Sequence, residues 1–180
     1  MSFFDKEFKE IFSAELISIV GGLLAGIALV LYTDKLLLIP GMLILLPGFL
    51  EMRGNISGSL ASRISSGLFL KVIPIKKVNS KIIQGNFIAS FLLAIIVTLS
   101  LGIVAFLLTF FLFHVSEPIL IIVPIIAGVI ANLIQIPLTL FLTFFLFRRG
   151  HDPNNIMGPF LTSSGDVISI GALLLTLVIL

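Results

Sequence analysis

The stretch 87-FIASFLLAIIVTLSLGIVAFLLTFFLF-113 runs for 27 residues without one charged side chain. At a rise of 1.5 Å per residue, a helix of that length reaches about 40 Å and more than covers a hydrocarbon core of roughly 30 Å. Ile119 to Phe147 repeats the pattern, and Ile11 to Tyr32 and Ile156 to Leu180 are long apolar runs on either side. Leu36 to Leu50 is shorter. As a helix it reaches only about 22 Å, so it must continue into the polar stretch that follows or end inside the membrane. The expected fold is an all-α integral membrane protein with five transmembrane helices, at about residues 11–32, 36–58, 86–113, 119–147 and 156–180.

The composition agrees. Soluble domains carry about 25% charged residues, whereas this 180-residue chain has 11%, with 58% hydrophobic residues. It contains no cysteine, which excludes disulfides, thiolate metal sites and cysteine nucleophiles. No cytoplasmic regulatory domain is expected within the 180 residues, and nothing points to a nucleic-acid partner.

The few charges are sorted by position. Lys and Arg in short loops mark the cytoplasmic side. With the N-terminus cytoplasmic and the C-terminus extracellular, ten of the eleven basic residues fall inside, Lys76, Lys77 and Arg148 among them, and Lys35 alone falls outside. The basic loop that holds Lys71, Lys76, Lys77 and Lys81 is expected to touch anionic lipid of the bilayer. At the N-terminus, Phe4, Phe8, Ile11 and Phe12 recur at helical spacing opposite Asp5, Lys6, Lys9 and Glu10. That pattern predicts a short interfacial amphipathic segment leading into the first span. The whole reads as a multi-pass protein of the cell (plasma) membrane.

Ionisable residues within a span are costly and mark sites or pathways. Asp166 lies about 15 Å beyond Ile156, near the bilayer midplane, with no basic residue in its own span. Thr162, Asn155 and Ser169 share its face, and Ser163 lies beside it. On the second helix Glu51, Asn55, Ser59 and Ser62 form one stripe. Asn132, Gln135, Thr139 and Thr143 line one side of the fourth, around Pro137. Small residues suit close helix packing, and the amides of Asn132 and Gln135 suit hydrogen bonds between helices. Carboxylate, amide and hydroxyl oxygens without thiol or intramembrane histidine suit hard divalent cations of the Mg²⁺ or Ca²⁺ type.

Two stretches carry a resemblance. LPGFLEMRGNISGSLASRIS (Leu46 to Ser65) is similar to the Gly-Asn motif of MgtE-type magnesium transporters, in the form used by the archaeal members and the eukaryotic solute-carrier relatives. FRRGHDPNNIMGPFLTSSGDVISI (Phe147 to Ile170) resembles the second family signature, Asp-Pro-Asp-Asn followed by Pro and Thr-x-x-Gly-Asp. The resemblance implies divalent cation transport, as channel or ion-coupled exchanger, through a path between two five-helix protomers, lined by their second and fifth helices. The partner is a second copy of the chain (a homodimer) or a paralogous half. Asp166 matches the position that holds hydrated Mg²⁺, Thr162 a pore-lining position, Asn55 the motif Asn and Glu51 an acidic position of that branch. Ser59, Asn132, Asp152, Asn155 and Ser163 are further pore-lining candidates, and Mn²⁺ or Co²⁺ are alternative ions. Asn154 departs from the pattern, which removes one negative charge near the cytoplasmic mouth.

Two rival readings remain. An intramembrane serine hydrolase would use Ser57 or Ser163 with His114 or His151 as base, and would need them within hydrogen-bond reach. A non-transporting structural subunit would leave the midplane Asp166 unexplained.

Overall fold

The protein is represented by a computed structural model that describes residues 5–75 and 80–180. Phe4 of the amphipathic segment, and Lys76 and Lys77 of the basic loop, lie outside the described residues. Among the described residues six helices follow in this order: α1 (Lys6–Leu31), α2 (Thr33–Leu37), α3 (Met42–Phe69), α4 (Lys81–Phe113), α5 (Ile119–Arg148) and α6 (Pro153–Ile179). Among them α1, α4, α5 and α6 are long and apolar enough to cross a membrane.

Five transmembrane helices are expected from the sequence; the described residues hold six helices, four of them of membrane-crossing length and apolarity, and the difference lies in the region after α1. A helix was expected at 36–58, but residues 33–37 form the short α2, and α3 starts only at Met42 and continues to Phe69. Gly41 makes the break. Its φ of 85° is left-handed, and a Cβ there would stand 2.0 Å from Thr109 Oγ1 and 2.8 Å from Leu120 Cδ1, so only glycine lets the turn seat against α4 and α5. The short apolar run therefore continues into the polar stretch. The 28 residues of α3 reach about 42 Å and carry Glu51, Arg53 and Arg63 along the way.

Caps define the other ends. Asp5 accepts from the Phe8 N–H at 2.9 Å, Ser80 from the Ile83 N–H at 3.4 Å, and Asp152 from the Asn154 N–H at 2.8 Å, with Pro153 opening α6. His114, at φ 55°, ends α4. α6 lies at the centre and packs against α1, α3 and α5, while α4 covers α3 and α5. The seam between α1 and α6 is tight: a Cβ on Gly21 would fall 2.8 Å from Ser163 Cβ. Most of the remaining surface of α1 is exposed Leu, Ile, Val and Phe, as a lipid-facing helix requires.

Apolar packing and self-satisfied hydroxyls make the core. Met42, Leu45, Phe49 and Ile56 of α3 meet Leu120, Val123, Ala127 and Ala131 of α5 and Leu173 of α6. Buried threonines return their protons to their own helix, as Thr98 does to Ala94 O at 2.8 Å and Thr139 to Gln135 O at 2.7 Å. That removes the cost of a lone hydroxyl in a dry interior.

Candidate functional site: the α3–α6 groove

Glu51 and Asn55 lie one turn apart on α3, and Thr162 and Asp166 one turn apart on α6. The two helices run side by side, and all four residues line one cavity of about 340 Å³, together with Pro47, Leu50, Gly54 and Gly158. Gly54 leaves the groove open: a Cβ added there would make an ordinary contact at 3.5 Å with Thr162 Oγ1, and a longer side chain would extend into the cavity. Asn55 Nδ2 donates to Glu51 Oε1 at 3.3 Å, and Thr162 Oγ1 donates to Gly158 O at 3.1 Å. Glu51, Asn55 and Thr162 are exposed, and Asp166 is half-buried.

The groove thus offers two carboxylates, one amide oxygen and one hydroxyl on one side of the molecule. Among the described residues there is no cluster of three or more His, Asp or Glu side chains that could strip and cage a metal. A few oxygen groups around a roomy cavity match a cation that keeps most of its own water, as Mg²⁺ does.

The remaining candidates fall elsewhere. Ser59 is exposed one turn beyond Asn55, outside the cavity. Ser163 is buried against Gly21 of α1, and its hydroxyl donates to Phe160 O at 3.2 Å. Asn132 is buried and donates to Gly128 O at 2.8 Å. Its neighbour Gln135 bridges α5 to Leu161 O of α6 at 3.3 Å, the expected hydrogen bond between helices. Neither Asn132 nor Ser163 lines the groove, because helix rotation turns both into packing seams.

Asp152 and Asn155 sit at the N-terminal end of α6, about 21 Å and 16 Å from Asp166 along the helix. Asp152 caps the helix, and Asn155 Nδ2 donates to Glu10 Oε2 at 3.3 Å. Glu10 also meets His151 Nδ1 at 2.9 Å and the Asp152 N–H at 3.5 Å, with the Lys6 ammonium 3.7 Å away. In sequence Glu10 reads as one face of an amphipathic segment; nothing local announces a partner 141 residues away. Arg53 reads in sequence as an inside charge within the Gly-Asn stretch, yet its side chain is fully buried.

The side chains of the hydrolase reading are engaged separately among the described residues. Ser57 Oγ has no hydrogen-bond partner, Ser163 bonds to a backbone carbonyl, and His151 is engaged with Glu10.

No curated protein and no solved structure matches the chain. A family model does: that of MgtE, described as a divalent cation transporter, matches residues 46–176, from the first turns of α3 to the last of α6, and so contains both walls of the groove. With well over half its length matched, the chain belongs to the MgtE family of divalent cation transporters.

Proposed function

We propose that this chain is one protomer of a Mg²⁺ transporter of the plasma membrane, with the cation path running along the α3–α6 groove between two copies. The supporting observation is the convergence of Glu51, Asn55, Thr162 and Asp166 on one open cavity. Exposed polar groups at membrane depth face either lipid, which is costly, or another polar surface. A second copy supplies that surface. Two grooves facing across a twofold axis enclose a path with up to four carboxylates, wide enough for a cation that retains water.

In this reading α1, α3, α4, α5 and α6 are the five crossings, with the N-terminus cytoplasmic and the C-terminus extracellular. Asp166 is the central ion-holding group, with Glu51 and Asn55 opposite it and Thr162 orienting water. Empty, the carboxylates repel one another; a divalent cation relieves that repulsion. Mn²⁺ and Co²⁺ share the oxygen preference closely enough to follow the same path.

The decisive test is Mg²⁺ uptake into liposomes that contain the purified protein. Uptake that falls to background with Asp166→Ala, and falls less with Asn55→Ala, is expected. Equal uptake by wild type and the Asp166 variant would remove the groove from the path.

A further inference from the structure

Arg53 is a costly side chain to bury. It is 1% exposed, lies on α3 two residues from both Glu51 and Asn55, and has no carboxylate partner among the described ion pairs. One nitrogen, Nη2, donates to Gly128 O at 3.0 Å and Ala127 O at 3.4 Å, and the guanidinium stacks 4.9 Å from the centre of the Phe49 ring. Nε and Nη1 have no protein acceptor. A buried charge left half-bonded is retained only where something else completes it.

The same seam contains the complement. Asn132 Oδ1 and Gln135 Oε1 are buried acceptors without a donor, and Ser57 Oγ and Ser169 Oγ are buried hydroxyls without a partner. Arg53, Asn132 and Gln135 are neighbours. Arg53 and Asn132 donate to the same carbonyl, that of Gly128. A Cβ on Gly165 would lie 3.6 Å from Arg53 Cβ and 3.7 Å from Gln135 Nε2, so α3, α5 and α6 converge there. Ser57 follows Arg53 and Ser169 follows Gly165 by one turn, in opposite directions because α3 and α6 run antiparallel, so the two hydroxyls bracket that level. An anion would satisfy the guanidinium but would face the two amide oxygens. Water accepts from Arg53 and donates to Asn132 and Gln135, so it fits the whole set.

We propose that the α3–α5–α6 seam holds buried water on Arg53, and that Arg53 with this water is a positioning element for the cation path. Gly165 immediately precedes Asp166, and Arg53 lies between Glu51 and Asn55 in sequence. The guanidinium anchors α3 to α5 at the level where α3 meets α6, and so sets the Glu51 and Asn55 pair against Thr162 and Asp166. This role rests on the groove being the path; the buried water does not.

Two measurements separate them. X-ray radiolytic hydroxyl labelling, read by mass spectrometry on the detergent-solubilised protein, reports water beside buried rings without any flux. Phe49, fully buried, is expected to be labelled in wild type and to lose labelling in Arg53→Met. An unlabelled Phe49 in wild type overturns the hydrated seam.

Arg53→Met replaces the buried charge with an apolar chain of similar length and so removes the desolvation cost of that charge. The variant is expected to melt no lower than wild type yet to carry Mg²⁺ roughly tenfold more slowly, the scale seen when a group behind a metal ligand is removed. Flux within about twofold of wild type, well below that scale, overturns the positioning role. Arg53→Lys keeps the charge but loses the planar fork, and provides the readout should the Met variant not fold. It is expected to retain Phe49 labelling and to raise the half-saturating Mg²⁺ concentration several-fold. An unchanged half-saturation and maximum rate overturns the role. If Asp166→Ala also transports normally, the path reading fails while the labelling result stands.

Discussion

His151 Nδ1 lies 2.9 Å from Glu10 Oε1, which joins the first turns of α1 to the loop that enters α6. Glu10 precedes the apolar run of the first span. Burial works against its charge, but the hydrogen bonds from His151, Asn155 and the Asp152 N–H, with Lys6 nearby, outweigh it and hold the carboxyl below its usual value of 4.5. A lowered folded-state value means that the clasp stabilises fully above the unfolded value and loses that contribution as pH falls through the folded one. Melting curves in detergent should therefore decline below about pH 4.5, where the unfolded carboxyl begins to take up its proton. Glu10→Gln should lower the melting temperature at pH 7 and flatten the acid decline. A variant with the wild-type profile would show that the clasp contributes nothing.

Gly54→Ala and Gly54→Leu should differ sharply. A Cβ at that position makes an ordinary contact at 3.5 Å with Thr162 Oγ1, so the Ala variant should fold and transport at a reduced rate. Leu has to occupy the cavity itself, and uptake should be abolished although the helical circular dichroism is kept.

Gly41→Ala tests the break before α3. Left-handed backbone costs a non-glycine residue about 1 kcal/mol and overpacking about 1–3 kcal/mol, so a loss of about 2–4 kcal/mol is expected in denaturant unfolding. A loss under about 1 kcal/mol would mean that the turn shifts freely away from Thr109 and Leu120.

The pairing of two grooves is testable because the native chain has no cysteine. Leu50 lines the cavity, so Leu50→Cys should form a disulfide-linked dimer in liposomes on mild oxidation. Ile134→Cys, on the exposed flank of α5, should remain monomeric under the same conditions. Equal cross-linking at both positions would count against a groove-to-groove dimer.

Glu51→Gln removes one of the two groove carboxylates but keeps an oxygen for Asn55. Uptake should fall by roughly tenfold or less, and less than with Asp166→Ala, since one carboxylate and its water remain. A larger loss from Glu51→Gln would exchange the roles of the two acids.

Apolar run length alone determined that the chain is helical and that α1, α4, α5 and α6 are membrane-length, because a hydrocarbon core accepts little else. Helical spacing also placed Glu51 with Asn55 and Thr162 with Asp166, since neighbours one turn apart share a face whatever the fold. Tertiary structure decided what those faces meet. Rotation about the α6 axis turned Ser163 into the α1 seam and left Thr162 in the groove, although the two are adjacent in sequence. The start of α3 at Met42 followed from a turn packed against Thr109 and Leu120, which no local pattern contains. Arg53 shows the same limit: an arginine between Glu51 and Asn55 reads as an inside charge until α5 and α6 close over it. Periodicity is local and survives in one dimension, whereas burial and partnership depend on which helices pack together.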